Sequence, residues 1–223
     1  MFTQSKKKIY IIGSNPDDFF DLTVQSLKIL SKSHLIIISK RYNKQYFEIL
    51  KRNKKEVFIE EEISTSQRKL FDLILLFFKK YHIISHLITG DTFMFSENKE
   101  ELFFKKKKIK TQKILGIPAL VNYVNKKKSF LTDRNKNSSV TFFSPLSKSD
   151  CFKLNKLMDF EKIIIKITRK IIFSIILELI ESKNFQIFKC RVFLNTKEVK
   201  NIRRINFNDS CDCIYIILEN DKV

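Results

Sequence analysis

Glycine is scarce in this chain. There are three in 223 residues, where ordinary usage near ~7% would give roughly 16. Proline also numbers three, and tryptophan is absent. So little glycine and proline excludes collagenous, linker-rich and low-complexity readings. It also removes the usual phosphate cradles. The loop Gly13-Ser14-Asn15-Pro16-Asp17-Asp18 lacks the second and third glycines of a dinucleotide fingerprint, and no Walker loop, nucleophile elbow or kinase motif occurs. The four cysteines, Cys151, Cys190, Cys211 and Cys213, form no CxxC pair and stand beside no histidine at zinc spacing. They read as reduced core thiols of a cytosolic protein. The three histidines, His34, His82 and His86, fall in or beside predicted strands, and no metal is expected. No apolar run suits a signal peptide. The most apolar stretch, 171–180, is short and carries Glu178, which argues against a membrane span.

What is present is charge and bulk. Lysine plus arginine is 43 against 24 acidic residues, a formal net charge of +19. The chain is 43% hydrophobic with 22 phenylalanines, enough for a sizeable core in one large domain or two compact ones. Lysine, isoleucine, asparagine and phenylalanine share AT-rich codons, so part of the positive charge reflects nucleotide bias. The remainder suits an anionic partner. A basic, non-catalytic nucleic-acid-binding module is the reading from another class; no interleaved aromatic–basic motif supports it.

Short β-branched runs alternate with longer segments of helical period. Strands are predicted at 8–12, 35–38, 57–59, 82–88, 112–115, 140–143, 162–167, 185–193, 200–205 and 213–218. Helices are predicted at 22–30, 42–51, 67–80, 99–107, 118–125, 148–157 and 171–182. This alternation predicts an α/β protein of two α/β domains with a cleft between them, the first sheet parallel and the second mixed. The basic run Lys105–Lys108 sets the expected boundary, with domains at 1–110 and 111–223.

The glycines are not scattered. Gly13, Gly90 and Gly116 each follow a predicted strand. Glycine at a strand end permits positive φ or close approach to a ligand. Ligands of open α/β sheets bind outside the carboxyl ends of strands. Pro16 and Pro118 share two of these loops.

The loops carry a resemblance. Ile9-Tyr10-Ile11-Ile12-Gly13-Ser14-Asn15-Pro16-Asp17-Asp18, then Leu22-Thr23, resembles the opening of the tetrapyrrole methylases. Thr89-Gly90-Asp91-Thr92-Phe93-Met94-Phe95 with Glu100-Glu101, Leu115-Gly116-Ile117-Pro118-Ala119, Leu131-Thr132-Asp133-Arg134 and Ser138-Ser139-Val140-Thr141-Phe142 follow in that family's order and spacing. The pattern is closest to the branch that methylates uroporphyrinogen III on carbon. Precorrin methylases, such as the precorrin-2 C20 enzyme, are the alternative within the family.

The resemblance implies a cytoplasmic, homodimeric S-adenosylmethionine-dependent methyltransferase. It assigns the donor to Pro16, Thr89, Gly90, Asp91, Met94, Pro118, Ala119, Ile167 and Leu194. For the carboxylates of an anionic tetrapyrrole, the chain offers Lys40, Arg41 and Arg134. Where the family carries an aspartate after the second strand, this chain has Ser39, so the resemblance assigns no catalytic residue. The family's next lysine has no counterpart, and Glu60, Glu61 and Glu62 occupy that neighbourhood.

Overall fold

The computed structural model describes residues 7–60, 67–94, 98–118, 121–122, 131–132, 139–182, 185–194, 197–200, 202, 205 and 213–220. The chain forms two compact units, residues 1–122 and 123–223.

In the first unit, β1 (Lys8–Ser14), β2 (Leu35–Ile38), β3 (Glu56–Ile59), β4 (Ile83–Thr89) and β5 (Thr111–Ile114) form one sheet in the order β3-β2-β4-β1-β5. Every pairing in it is parallel. Helices α1 (Val24–Lys32), α2 (Lys44–Arg52), α3 (Gln67–Lys80) and α4 (Lys99–Lys106) connect the strands. The path from β1 through β2 to β3 moves across the sheet one way, and the path from β3 through β4 to β5 moves back the other way. Right-handed crossovers therefore place their helices on opposite faces. The core divides accordingly. Ile12, Ile36 and Ile38 pack with Leu30, Tyr42, Tyr46 and Leu50 of the α1–α2 side. Ile9, Leu35, Ile37 and Ile84 pack with Leu70, Phe71, Ile74, Phe103 and Phe104 of the α3–α4 side. Strands buried on both faces explain the unbroken Leu35–Ile38 run.

The unit boundary falls at 122/123, not 110/111, because β5 pairs with β1 and completes the first sheet. The basic run is a helix terminus. Lys108 takes φ 57°, and the Lys107, Lys108 and Ile109 amides donate to the carbonyls of Phe104, Lys105 and Phe104. Lys54, with φ 53°, occupies the same kind of position after α2. Glycine usually fills that place.

In the second unit, β6 (Val140–Phe143), β7 (Lys162–Ile167), β8 (Phe188–Leu194), β9 (Lys197–Glu198) and β10 (Ile214–Asn220) form a sheet in the order β6-β7-β10-β8-β9. β6 and β7 are parallel and the remaining pairs antiparallel. α5 (Lys148–Cys151) and α6 (Lys170–Glu181) supply the helices. Ile163, Ile165 and Ile167 pack with Ile214, Ile216 and Leu218 against Ile172, Phe173 and Ile176. The expected parallel first sheet and mixed second sheet are both present.

Three local expectations shift. The 148–157 helix is one α turn, started by a Ser147–Asp150 capping box, followed by a 3-10 stretch over Phe152–Leu157. The 185–193 strand begins at Phe188, because the Phe185 amide first closes a turn on the Ser182 carbonyl. A two-residue strand pairs Glu198 with Phe193. The 200–205 strand expected after it lies partly outside the described residues, as does most of the 118–125 helix.

Candidate functional site at the carboxyl ends of the first sheet

β1, β4 and β5 are neighbours, so the loops at their carboxyl ends come together. Gly13, Gly90 and Gly116 meet there. A β-carbon on Gly13 would stand 2.5 Å from the Gly90 carbonyl oxygen and 2.7 Å from the Gly116 nitrogen. One on Gly116 would stand 2.6 Å from the Gly13 carbonyl oxygen. The Gly90 amide donates to the Ser14 carbonyl at 2.7 Å, and Gly90 takes φ 85°. The expectation of a shared edge holds. Its physical reason is different for two of the three glycines. Gly13 and Gly116 are required by main chain packing on main chain, whereas only Gly90 uses positive φ.

Asp91 fastens this junction. One carboxylate oxygen accepts from the Phe93 and Met94 amides, each at 2.8 Å, and the other accepts from the Gly116 amide at 3.0 Å. The carboxylate is buried and committed to backbone. Buried Thr92 donates from its hydroxyl to the Ile114 carbonyl at 3.2 Å, holding the same two loops.

The first loop is tied to α2. The Tyr46 hydroxyl donates to the Asn15 carbonyl at 2.6 Å, and the Asn43 amide donates to the Pro16 carbonyl at 2.8 Å. The Tyr42 hydroxyl lies 2.7 Å from Ser14 Oγ and also bonds the Thr89 side chain. Burial pushes both phenols far above their ordinary range. They are neutral linkers.

Pro16, Thr89, Gly90, Asp91, Met94 and Pro118 therefore share one edge. Exposed Phe93 and Leu115 add an apolar rim, with the Lys113 ammonium 5.3 Å from the Phe93 ring centre. Ala119 and Arg134 lie outside the described residues. Lys40 and Arg41 are exposed on the turn after β2, beside Ser39. In the second unit, Ile167 and Leu194 end β7 and β8, and both register with Ile214. Ile167 is fully buried, so its side chain is core. Cys151 is buried and Cys190 half-buried; burial raises the Cys190 thiol to about 11, which suits inert thiols.

Sequence reasoning missed one cluster. His86, on the α3–α4 face of β4, has Nδ1 2.9 Å from both Glu100 carboxylate oxygens and Nε2 against Glu60 Oε1. Burial opposes the charge on His86, but the Glu100 and Glu60 carboxylates outweigh it and raise the pKa to about 10. The signal was weak, because the partners lie 26 and 14 residues away on different elements.

Two outcomes follow. Gly13→Ala forces backbone against backbone and lowers unfolding stability by about 1–3 kcal/mol; an unchanged denaturation midpoint contradicts the junction. His86 gains its proton affinity on folding. Its contribution is complete below the unfolded value of about 6.5 and is lost as pH rises through about 10. Denaturation midpoints should fall across that window in the parent, and His86→Gln should flatten the decline.

Comparison with known proteins agrees with this geometry. Residues 8–188 match the family described as Tetrapyrrole (Corrin/Porphyrin) Methylases. The chain is similar to the uroporphyrinogen-III C-methyltransferase of Cyanidium caldarium, 28% identical over 142 residues, covering 62% of this chain and 57% of that one. It is also similar to the siroheme synthase of Blochmanniella pennsylvanica (strain BPEN), 25% identical over 140 residues, covering 61% of this chain and 30% of that one. Each match thus spans less than two thirds of the relative. The structure of uroporphyrin-III C-methyltransferase from Thermus thermophilus complexed with S-adenosylhomocysteine superposes with a TM-score of 0.66 at 15% identity, over 94% of this chain and 96% of that chain. That likeness is one of fold. The family match covers most of the sequence and all of the glycine junction, and the chain belongs to the tetrapyrrole methylase family.

Proposed function

We propose that this chain is an S-adenosylmethionine-dependent C-methyltransferase whose acceptor is uroporphyrinogen III. The observation that carries the reading is the junction of three glycine loops within a tetrapyrrole methylase sequence. The relatives named for uroporphyrinogen-III methylation and for siroheme synthesis support the acceptor.

The edge suits a methyl-donor nucleoside. Such a ligand needs main-chain polar groups, apolar surface and few charges. Pro16, Met94, Phe93 and Leu115 supply apolar surface around the joined backbones. Past Pro118, whose carbonyl accepts from the Val121 and Asn122 amides, Asn122 Nδ2 is buried with no partner among the described residues. We assign the donor to Pro16, Thr89, Gly90, Asp91, Met94, Pro118 and Ala119. Asp91 serves through the loop shape it fixes, since its carboxylate is occupied. Lys40, Arg41 and Arg134 pair with acceptor carboxylates. The reading includes a homodimer in the cytoplasm. Among the described residues, no helix is long and apolar enough to cross a membrane.

Methyl transfer from a sulfonium releases a neutral thioether, so these residues chiefly orient the reactants and exclude water. Calorimetry with S-adenosylhomocysteine should show binding. Incubation with uroporphyrinogen III and S-adenosylmethionine should then add one or two methyl groups by mass. Binding without a mass gain moves the acceptor to another tetrapyrrole. Absence of binding overturns the reading.

A further inference from the structure

Methylating a pyrrole carbon leaves the ring positively charged until it loses a proton, so the reaction needs an acceptor for that proton. Three of the described carboxylates at this end of the first sheet are already engaged. Asp91 accepts three amides. Asp18 Oδ1 accepts from the Phe20 amide, and Asp21 accepts from the Asn15 side chain.

Glu60 is placed differently. It is the first residue past β3, and the Ile38–Ile59 register sets it beside Ser39 at the end of β2. The alternation of the strands puts Phe58 and Glu60, Ile37 and Ser39, and Ile84 and His86 on one face. Glu60 Oε1 faces His86 Nε2, while Oε2 makes no hydrogen bond among the described residues. The Glu60 side chain is 22% exposed, whereas His86 and Glu100 are 5% and 9% exposed. Glu60 also bears electrostatically on Tyr42, which bonds Ser14 and Thr89 of the glycine loops. A buried carboxylate thus fixes an imidazolium, which holds an outer, partly exposed carboxylate at the carboxyl end of the same sheet that carries the glycine loops.

We propose that Glu60 is a catalytic residue of the methyl transfer, with His86 and Glu100 as its positioning residues. This rests on the function proposed above. In the step, the methyl–sulfur bond breaks with its electron pair on sulfur. The pyrrole π pair forms the new carbon–carbon bond. The ring N–H proton then passes to Glu60 Oε2, leaving a neutral imine nitrogen and a neutral carboxylic acid. The negative carboxylate also stabilises the ring cation as it develops.

The test compares the full-length parent and variants with uroporphyrinogen III and S-adenosylmethionine. Glu60→Gln should lower kcat by about 100-fold or more, with KM and S-adenosylhomocysteine affinity within threefold of the parent. Glu60→Ala should regain turnover when formate is added, which a lost structural ion pair would not. His86→Gln should lower kcat without weakening S-adenosylhomocysteine binding. Parent-level kcat in Glu60→Gln overturns the assignment. So does a Glu60→Ala defect that formate leaves untouched, or a loss of turnover confined to Asp17→Asn, which alters the other aspartate beside Pro16 in the first loop. A parent that binds S-adenosylhomocysteine but never methylates this acceptor overturns the substrate reading and the proposal with it. A methylating parent with an indifferent Glu60 overturns only the proposal.

Discussion

Main chain lies directly on main chain where β1, β4 and β5 end, and the rest of the site depends on that contact. No side chain fits at Gly13 or Gly116, whose backbones meet each other and the Gly90 carbonyl. Elsewhere the chain has let glycine go. Lys54 and Lys108 hold left-handed helix-end positions at a cost of about 1–2 kcal/mol each. A helix end tolerates that cost, because the lysine side chain points into solvent. The junction does not, because a methyl group there meets a carbonyl or an amide that has nowhere to move. This difference accounts for Gly13 and Gly116 remaining in a sequence biased against glycine, while Gly90 serves the same junction at positive φ.

The surrounding polar residues keep the junction closed. Asp91 spends its carboxylate on three amides and Thr92 its hydroxyl on a carbonyl, so the β4 and β5 loops are fastened to each other. Tyr42, in the turn before α2, and Tyr46, within α2, hold the β1 loop. Each buried donor or acceptor left unpaired would cost about 1–3 kcal/mol, which gives the edge one arrangement and a preformed surface. On the opposite face, His86 links β4 to α4 and to the end of β3. The two faces meet at Tyr42, which feels the charge of Glu60.

Much of this was legible in the sequence. The β-branched runs at 35–38, 140–143 and 162–167 and the helix at 67–80 have their expected bounds, because period and composition agree there. The strand-end glycines point to one edge from the sequence alone. Other features were not legible. A charge run is composition, and Lys105–Lys108 reads as a linker until the pairing of β5 with β1 makes it a turn inside the first unit. The engagement of the Asp91 carboxylate by three backbone amides was not legible either. The His86 cluster depends on contacts between residues far apart in sequence. A short apolar run with one histidine gives no hint that two glutamates will meet it. The 148–157 segment failed locally, since its capping box starts a helix that the following residues wind more tightly.

Hydrogen exchange with and without S-adenosylhomocysteine tests the central claim most directly. The account expects slowed exchange in the amides of 13–18, 89–94 and 115–118 together, with one dependence on ligand concentration, because these loops share a single backbone junction. Protection in only one of the three loops, or confined to segments away from all of them, would contradict it.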